Sequence, residues 1–139
     1  MTNQVLLIGR LGGDPEIRTT RGGDRVASFS VATTESWRDR QTGEKKTATE
    51  WHNVETFVEA TVNFLEKYAG KGDLVKVQGK IKTDKYEKDG VKQQRTKVVV
   101  GGRFTGIDLL QSAKPNGAGQ AANNAAEDHS ADLDDEIPF

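Results

Sequence analysis

The chain has 139 residues, of which 34% are hydrophobic and 29% charged, so it is long enough for one domain with a modest core and a tail. It contains no cysteine, which excludes disulfide bridges and thiolate metal sites and favours a reducing compartment. The net charge of −1 is an average over a body, residues 1–111, with a net charge of +4 and a tail, residues 112–139, with a net charge of −5. A basic body predicts a polyanionic partner, and an acidic tail predicts a separate role.

The N-terminal region contains a four-residue apolar run with no basic segment before it. We therefore expect neither a signal peptide nor a membrane span, and we expect a cytoplasmic location. Residues 4–11 predict a first strand, which ends at the turn signal of residues 12–15. Residues 16–25 are predicted to form a loop.

Residues 25–37 predict a long second strand. The residues expected on its inner face are Ala27, Phe29 and Val31. Trp37 has the same parity, although a bend or bulge in so long a strand would redirect it. Residues 38–47 predict a mobile basic hairpin loop, and residues 48–58 predict the third strand.

The third strand places two aromatic residues on a polar face. Side chains alternate between the faces of a strand, so Trp51 and Phe57 share one face and Val54 lies on the other. Exposed aromatic rings beside flexible cations suit single-stranded nucleic acid. The alternative is that Trp37 and Trp51 both lie in the core, because tryptophan is highly buried on average.

The period of the pattern becomes helical over residues 60–69, with Thr61 as a candidate cap and Gly70 as a stop signal. Residues 73–86 then alternate as a fourth strand. Its expected inner face comprises Val75, Val77, Gly79 and Ile81. Tyr86 falls on the opposite face, among lysines, and is a third aromatic residue on a polar strand face.

A hairpin loop is predicted at Asp89-Gly90, followed by a fifth strand over residues 94–110 that Gly101-Gly102 interrupts and that includes Phe104. Five strands with one helix between the third and the fourth is the order of an oligonucleotide-binding (OB) barrel. This is an all-β Greek-key fold that presents one face and its loops to ligand.

The sequence after Gln111 changes in character. Residues 112–133 are mostly small and polar, cannot bury enough apolar surface to fold, and predict a flexible, disordered linker. Residues 134–139 combine acids with two apolar residues and a proline, a pattern that favours a peptide docking in a basic pocket with an apolar slot. They are Asp134, Asp135, Glu136, Ile137, Pro138 and Phe139. The alternative is a solvated tail that aids solubility.

Aromatic and basic residues interleave along the predicted barrel. The candidate base-stacking residues are Trp37, Trp51, Phe57 and Tyr86. The candidate phosphate contacts are Arg18, Arg38, Arg40, Lys46, Lys82 and Lys85. Stacking tolerates any base and contributes about 1–3 kcal/mol per base, while the cations neutralise phosphates. The set predicts binding of single-stranded nucleic acid.

Signatures of catalysis are missing from the sequence. There is no phosphate-binding loop, no nucleophile elbow and no zinc-ligand spacing, and the two histidines are His52, on an inner-face parity, and His129 in the tail. We therefore expect no enzyme, no cofactor and no metal. A nuclease that holds a divalent ion with the acidic tail is the alternative from another class.

Several motifs together resemble those of bacterial single-stranded DNA-binding proteins. They are NQVLLIGRLGGDPEIR, FSVATTESWRDRQTGE, TEWHNV, KGDLVKVQGKIKT and DDEIPF. The resemblance covers residues 3–110 and returns at the last six residues.

The resemblance implies roles for individual positions. Bases would stack on Trp37, Trp51 and Phe57, and on Tyr86, where the family has tryptophan. Basic residues along the path would be Arg18, Arg40, Lys46, Lys71, Lys82 and Lys85. Asp84 stands where relatives can carry a basic residue, and His52 matches a histidine near a subunit contact.

At the level of the whole protein, the resemblance implies a nucleoid-associated homotetramer that wraps single-stranded DNA. Its terminal peptide would recruit replication, repair and recombination proteins. An RNA-binding module of the same fold remains the alternative, because no residue pattern reads or rejects a 2′-hydroxyl group.

Overall fold

The computed structural model describes residues 1–113. The predicted acidic tail and almost all of the predicted linker lie outside the described residues. The elements follow in the order β1 (Val5–Leu11), β2 (Glu16–Thr19), β3 (Arg25–Arg38), β4 (Lys45–Thr56), α1 (Glu59–Tyr68), β5 (Leu74–Lys88), β6 (Val91–Val100) and β7 (Gly106–Gln111).

Five of these strands close into a barrel. β1 pairs antiparallel with both β3 and β5, β3 pairs antiparallel with β4, and β5 pairs antiparallel with β6. The parallel pairing of β4 with β6 completes the ring β1–β3–β4–β6–β5. With α1 between the third and fourth barrel strands, this is the OB topology, and the predicted fold class is confirmed.

The barrel interior is filled by inward-facing aliphatic residues and one aromatic. They are Leu7, Leu11, Ala27, Phe29, Val31, Val54, Val62, Leu65, Val75, Val77, Val98 and Val100. Val62 and Leu65 come from α1, which closes one end of the barrel. Full burial of one such side chain contributes about 1.5–3 kcal/mol, so this core is the main source of stability.

The start of the helix differs from the prediction. Val58 is the cap residue and makes no side-chain capping bond, so the expected cap at Thr61 was wrong. The helix follows β4 almost directly, and the hydroxyl of Thr56 accepts a bond from the Val58 amide at 3.3 Å. The chain therefore enters the helix from a strand end that is fixed in the core, where Thr56 also donates to the carbonyl of Val100 at 2.8 Å.

The segment expected to be a loop over residues 16–25 contains the short strand β2. It pairs with the start of β3, from Thr19 opposite Arg25 to Glu16 opposite Ser28. The four residues of β2 include a single apolar side chain, which is too little alternation to predict a strand. The strand forms because its backbone pairs with β3.

The expected fifth strand over residues 94–110 is divided in two. β6 pairs with residues 80–88 of β5 and β7 pairs with residues 74–78, so both lie along the same strand. The interruption at Gly101-Gly102 was predicted, and Gly102 has a φ of 96° there. Phe104 lies in the connection between β6 and β7, not in a strand as expected.

Two hairpins extend from the barrel. The β3–β4 register is continuous from Ala27 opposite Thr56 to Arg38 opposite Lys45. Its turn is closed by a bond of 2.8 Å from the Asp39 amide to the Glu44 carbonyl, so the mobile loop expected over residues 38–47 was wrong in extent. The β5–β6 hairpin turns at Asp89-Gly90, as predicted, with φ values of 53° and 77°.

Within residues 1–113, no helix has the length and apolar character needed to cross a bilayer.

Candidate nucleic-acid interface

A groove of about 510 Å³ crosses the outer face of the barrel. Its walls come from β2, β3, β4, β5 and β6 and from the turn that follows β1. Its charged side chains, four acidic and three basic, are Asp14, Glu16, Glu55, Asp84, Arg18, Arg95 and Lys97. OB barrels present this kind of surface to oligonucleotides, so the candidate site lies where the fold predicts it.

Trp51 lies on the outer face beside this groove. It is 61% exposed and stands opposite Ala32 on β3. One edge of its ring packs against the end of β1, because a Cβ built on Gly12 would lie 2.4 Å from Cζ3 of Trp51. The ring is therefore held from one side and open on the other, and the alternative that Trp51 is a core residue is excluded.

Trp37 is also exposed, at 48%, but it lies on the other face of the β3–β4 hairpin. It stands opposite Lys46, five positions along each strand from the pair of Ala32 and Trp51. An odd separation in a continuous register puts the two tryptophans on opposite faces. The bulge that would have redirected Trp37 is missing between these pairs, so the two rings do not form one platform.

Alternation along β4 and β5 puts the side chains of Phe57 and Tyr86 on the face that carries the groove. Phe57 directly follows β4, is exposed, and has the same parity as Trp51. Tyr86 is exposed on β5 and donates its hydroxyl to Oε1 of Gln93 on β6 at 2.8 Å. That bond fixes the tyrosine ring two residues from Asp84 at the groove wall.

The predicted cations divide between the two faces. Arg18 lines the groove, and Lys82 stands opposite Lys97 on the same face. Lys85 lies on the other face of the β5–β6 hairpin because it neighbours Tyr86 in the strand. Lys46 accompanies Trp37 on the second face and forms an ion pair of 2.8 Å with Asp39.

The remaining three predicted cations lie in turns or at a strand end. Arg38 is the last residue of β3 and has the same parity as Ala32, the partner of Trp51. Its side chain therefore lies on the same face of the β3–β4 hairpin as Trp51. Arg40 is exposed in the turn beyond it. Lys71 follows α1, where its amide donates to Oδ1 of Asp14 at 2.8 Å, and Asp14 in turn lines the groove.

Sequence reasoning missed a charged cluster in the groove. The Lys97 ammonium lies 3.1 Å from Glu55 and 2.8 Å from Asp84, and Asp84 is 3.8 Å from Lys82. On β6, Lys97 directly precedes the core residue Val98, and Arg95 has the same parity as Lys97, which was the available signal. Their partners come from two other strands, so the sequence alone could not assemble the cluster.

The cluster shifts the ionisation of its members. The hydrogen bond from Lys97 is the largest of the effects that hold the pKa of Asp84 below its ordinary value of 3.8. The same bond is the main reason that the pKa of Lys97 is raised above 10.5. Both groups therefore stay charged at neutral pH, and Lys97 offsets part of the negative charge of Glu55 and Asp84.

His52 is half-buried, and its Nε2 lies 2.8 Å from Oγ1 of Thr33. It stands opposite Val31, on the inner parity that the sequence predicted. In the described part of the chain, no three His, Cys, Asp or Glu side chains come together in a way that could hold a metal ion.

An OB barrel with exposed aromatic rings and cations around a groove on its ligand face defines a class, the single-stranded nucleic-acid-binding proteins. The sequence model of the Single-strand binding protein family matches residues 2–104. The chain belongs to this family. Membership confirms the expected class, a non-enzymatic DNA-binding protein, and overturns the nuclease alternative.

Comparisons with individual proteins agree with this family assignment. Single-stranded DNA-binding proteins of Rickettsia felis and Rickettsia typhi are 42% and 40% identical to the chain, and each alignment covers 99% of the chain and 97% of the relative. The Plasmodium falciparum SSB complex with ssDNA matches with a TM-score of 0.72 and 38% identity, over 80% of this chain and 96% of that one. A deletion mutant of the Thermus aquaticus single-stranded DNA binding protein matches with a TM-score of 0.65 and 28% identity, over 81% and 52% of the two chains.

Proposed function

We propose that the protein binds single-stranded DNA without sequence preference by laying the strand across the outer-face groove. The observation that carries the proposal is the position of Trp51, which is exposed beside the groove and held against Gly12. The relatives from Rickettsia are single-stranded DNA-binding proteins, and the Plasmodium falciparum structure is a complex with ssDNA, which favours DNA over RNA.

On the outer face, bases stack on Trp51, Phe57 and Tyr86. A ring stacks on any base, so this contact gives affinity without reading sequence. Phosphates are neutralised by basic residues on the same face, which are Arg18, Arg38 and Lys82. Each neutralised phosphate releases counterions, so affinity falls as salt rises.

A longer strand also contacts the second face. Trp37 and Lys46 lie on the reverse of the β3–β4 hairpin, and Lys85 lies on the reverse of the β5–β6 hairpin. We propose that the strand passes around the hairpins to reach these residues, with Arg40 at the turn and Lys71 near Asp14. This path wraps the domain instead of crossing it once.

We propose that the functional unit is a homotetramer. The outer face of β1 exposes Leu6 and Ile8, which stand opposite Gln78 and Lys76 on β5. Adjacent apolar side chains on an exposed strand face favour burial against another subunit. His52 is proposed to lie near a subunit contact. Light scattering on the full chain tests this proposal, and a monomeric mass without DNA would contradict it.

The segment of residues 134–139, which lies outside the described residues, is proposed to recruit replication, repair and recombination proteins. The proposal is supported by its acidic and apolar composition and by alignments with relatives over 99% of the chain. Because the Rickettsia relatives are bacterial, we place the protein in the cytoplasm with the nucleoid. Deletion of Phe139 is expected to abolish partner capture and to leave DNA affinity unchanged.

Substitution of Trp51 tests the DNA-binding site. Anisotropy of a labelled oligo(dT) is expected to show a loss of about 1–3 kcal/mol for Trp51→Ala, the range measured for one base–aromatic stack, and a smaller loss for Trp51→Phe. Equal affinity of Trp51→Ala and the wild type would contradict the site. Competition with matched RNA of equal length separates the alternatives, since RNA preference would contradict the proposal.

A further inference from the structure

The connection between β6 and β7 carries the most exposed aromatic side chain in the described part of the chain. Phe104 is 86% exposed and does not pack against the core. Its φ of 59° is in the left-handed region, which is unfavourable for a bulky side chain such as phenylalanine. The hydroxyl of Thr105 donates to the carbonyl of Gly102 at 2.9 Å and fixes this turn. A large apolar ring is thus held in solvent by a fixed, strained turn.

The turn is continuous with the candidate DNA site. A Cβ built on Gly101 would lie 4.0 Å from Cε2 of Phe57, so the start of the turn lies beside that ring. The backbone leaves β6 at Val100, which stands opposite Thr56 on β4. Phe57 is therefore the nearest of the candidate stacking residues to this turn along the paired strands.

The turn is also basic. A Cβ built on Gly102 would lie 3.6 Å from Nζ of Lys80, and Arg103 is exposed next to it. Residues 101–107 contain no acid. One exposed ring with two cations and no acid is complementary to a polyanion with planar bases.

We propose that single-stranded DNA extends past Phe57 onto the β6–β7 turn, where a base stacks on Phe104 and where Lys80 and Arg103 contact phosphates. This inference rests on the proposed DNA binding and lengthens its path. Contact with a second copy of the chain is disfavoured, because a symmetric contact through this turn would bring like charges together.

Two substitutions at position 104 separate stacking from apolar contact. Phe104→Leu keeps an apolar side chain with the same backbone restriction, and Phe104→Trp keeps an aromatic face. Tyr68→Leu is the matched control, because Tyr68 is an exposed aromatic on α1 that contacts Phe64 and lies in no proposed site.

For long oligo(dT), Phe104→Leu is expected to weaken binding roughly 5- to 150-fold, while Phe104→Trp and Tyr68→Leu bind like the wild type. Oligo(dT) shortened stepwise is expected to lose this difference once it no longer reaches the turn. Equal affinity of Phe104→Leu and the wild type at every length, with Trp51→Ala still weakened, would overturn the inference alone. Failure of the wild type to bind would instead overturn the proposed function.

A fluorescent reporter gives a second readout. In a Trp37→Phe, Trp51→Phe background, Phe104→Trp places the single tryptophan in the turn while aromatic rings remain at positions 37 and 51. Quenching on addition of long oligo(dT) is expected. Unchanged emission with DNA bound would overturn the inference. A second result would also overturn it: Phe104→Leu changes the oligomeric mass of the protein without DNA but leaves DNA affinity unchanged. That result would assign the ring to a subunit contact.

Discussion

The ring of Trp51 packs against the backbone of Gly12, so closely that a Cβ at position 12 would lie 2.4 Å from the ring and 2.7 Å from Oγ of Ser30. The φ of Gly12 is not in the left-handed region, so glycine is required there for space and not for its backbone freedom. The end of β1 thereby sets the orientation of an exposed ring on β4.

Gly12→Ala is expected to push the Trp51 ring from this position and so to weaken binding of oligo(dT). The loss of binding free energy should not exceed that of Trp51→Ala, about 1–3 kcal/mol. Fluorescence anisotropy measures the affinity, and tryptophan emission reports the displaced ring. Gly13→Ala is the matched control, because a Cβ at position 13 meets nothing within 4 Å. Wild-type affinity and emission for Gly12→Ala would show that the contact does not position the ring.

The two tryptophans are expected to act independently because they lie on opposite faces of the hairpin. In a double-mutant cycle with Trp37→Ala and Trp51→Ala, the losses of DNA-binding free energy should add to within about 0.5 kcal/mol. Isothermal titration with an oligo(dT) long enough to reach both faces measures the four affinities. A coupling energy well above that value would mean that both rings contact the same base.

Asp84→Asn is expected to strengthen DNA binding, because it removes the carboxylate beside Lys82 and one of the two carboxylates that pair with Lys97, which then keeps only Glu55. If one cation becomes available to a phosphate, the slope of log affinity against log salt should steepen by about 0.7. Asp108→Asn is the control, since Asp108 pairs with Lys76 at 3.4 Å on the β5–β7 pairing, away from the residues that line the groove. Weaker binding by Asp84→Asn would indicate that the carboxylate contacts the DNA favourably.

The pKa of Asp84 is lowered chiefly by its hydrogen bond from Lys97. A group whose pKa is lower in the folded than in the unfolded state contributes stability above its unfolded pKa, about 3.9, and loses that contribution as the pH falls through the folded value. A ¹³C titration of the Asp84 carboxyl should give a midpoint below 3.8, and Lys97→Met should raise it. The same midpoint in both proteins would contradict the assigned cause.

Alternation along the sequence predicted the faces of the strands but not where the barrel ends. Val54 is buried and Trp51 and Phe57 are exposed, as the parity indicated. Ile81, expected inside with Val77, is exposed although its parity is the inner one. Parity assigns a side of a strand, whereas burial also requires the rest of the barrel above it, and β5 continues beyond the core as one arm of a hairpin.

The other features that the sequence did not predict depend on contacts between segments that are distant in the chain. The Glu55–Lys97–Asp84 cluster needs three strands to converge, and the contact of Trp51 with Gly12 needs β1 to end beside β3. The exposure of Phe104 depends on a turn that divides the last predicted strand. Each depends on which strands distant in the sequence come together and where they end, which composition and spacing did not predict.

Trp51 is proposed to contact bases of single-stranded DNA, and tryptophan fluorescence of the Trp37→Phe protein measures that contact. The chain has two tryptophans, so Trp51 is then the sole emitter. Addition of oligo(dT) should quench its emission to saturation, and high salt should reverse the quenching. Emission that stays constant while anisotropy shows the oligonucleotide to be bound would contradict the claim.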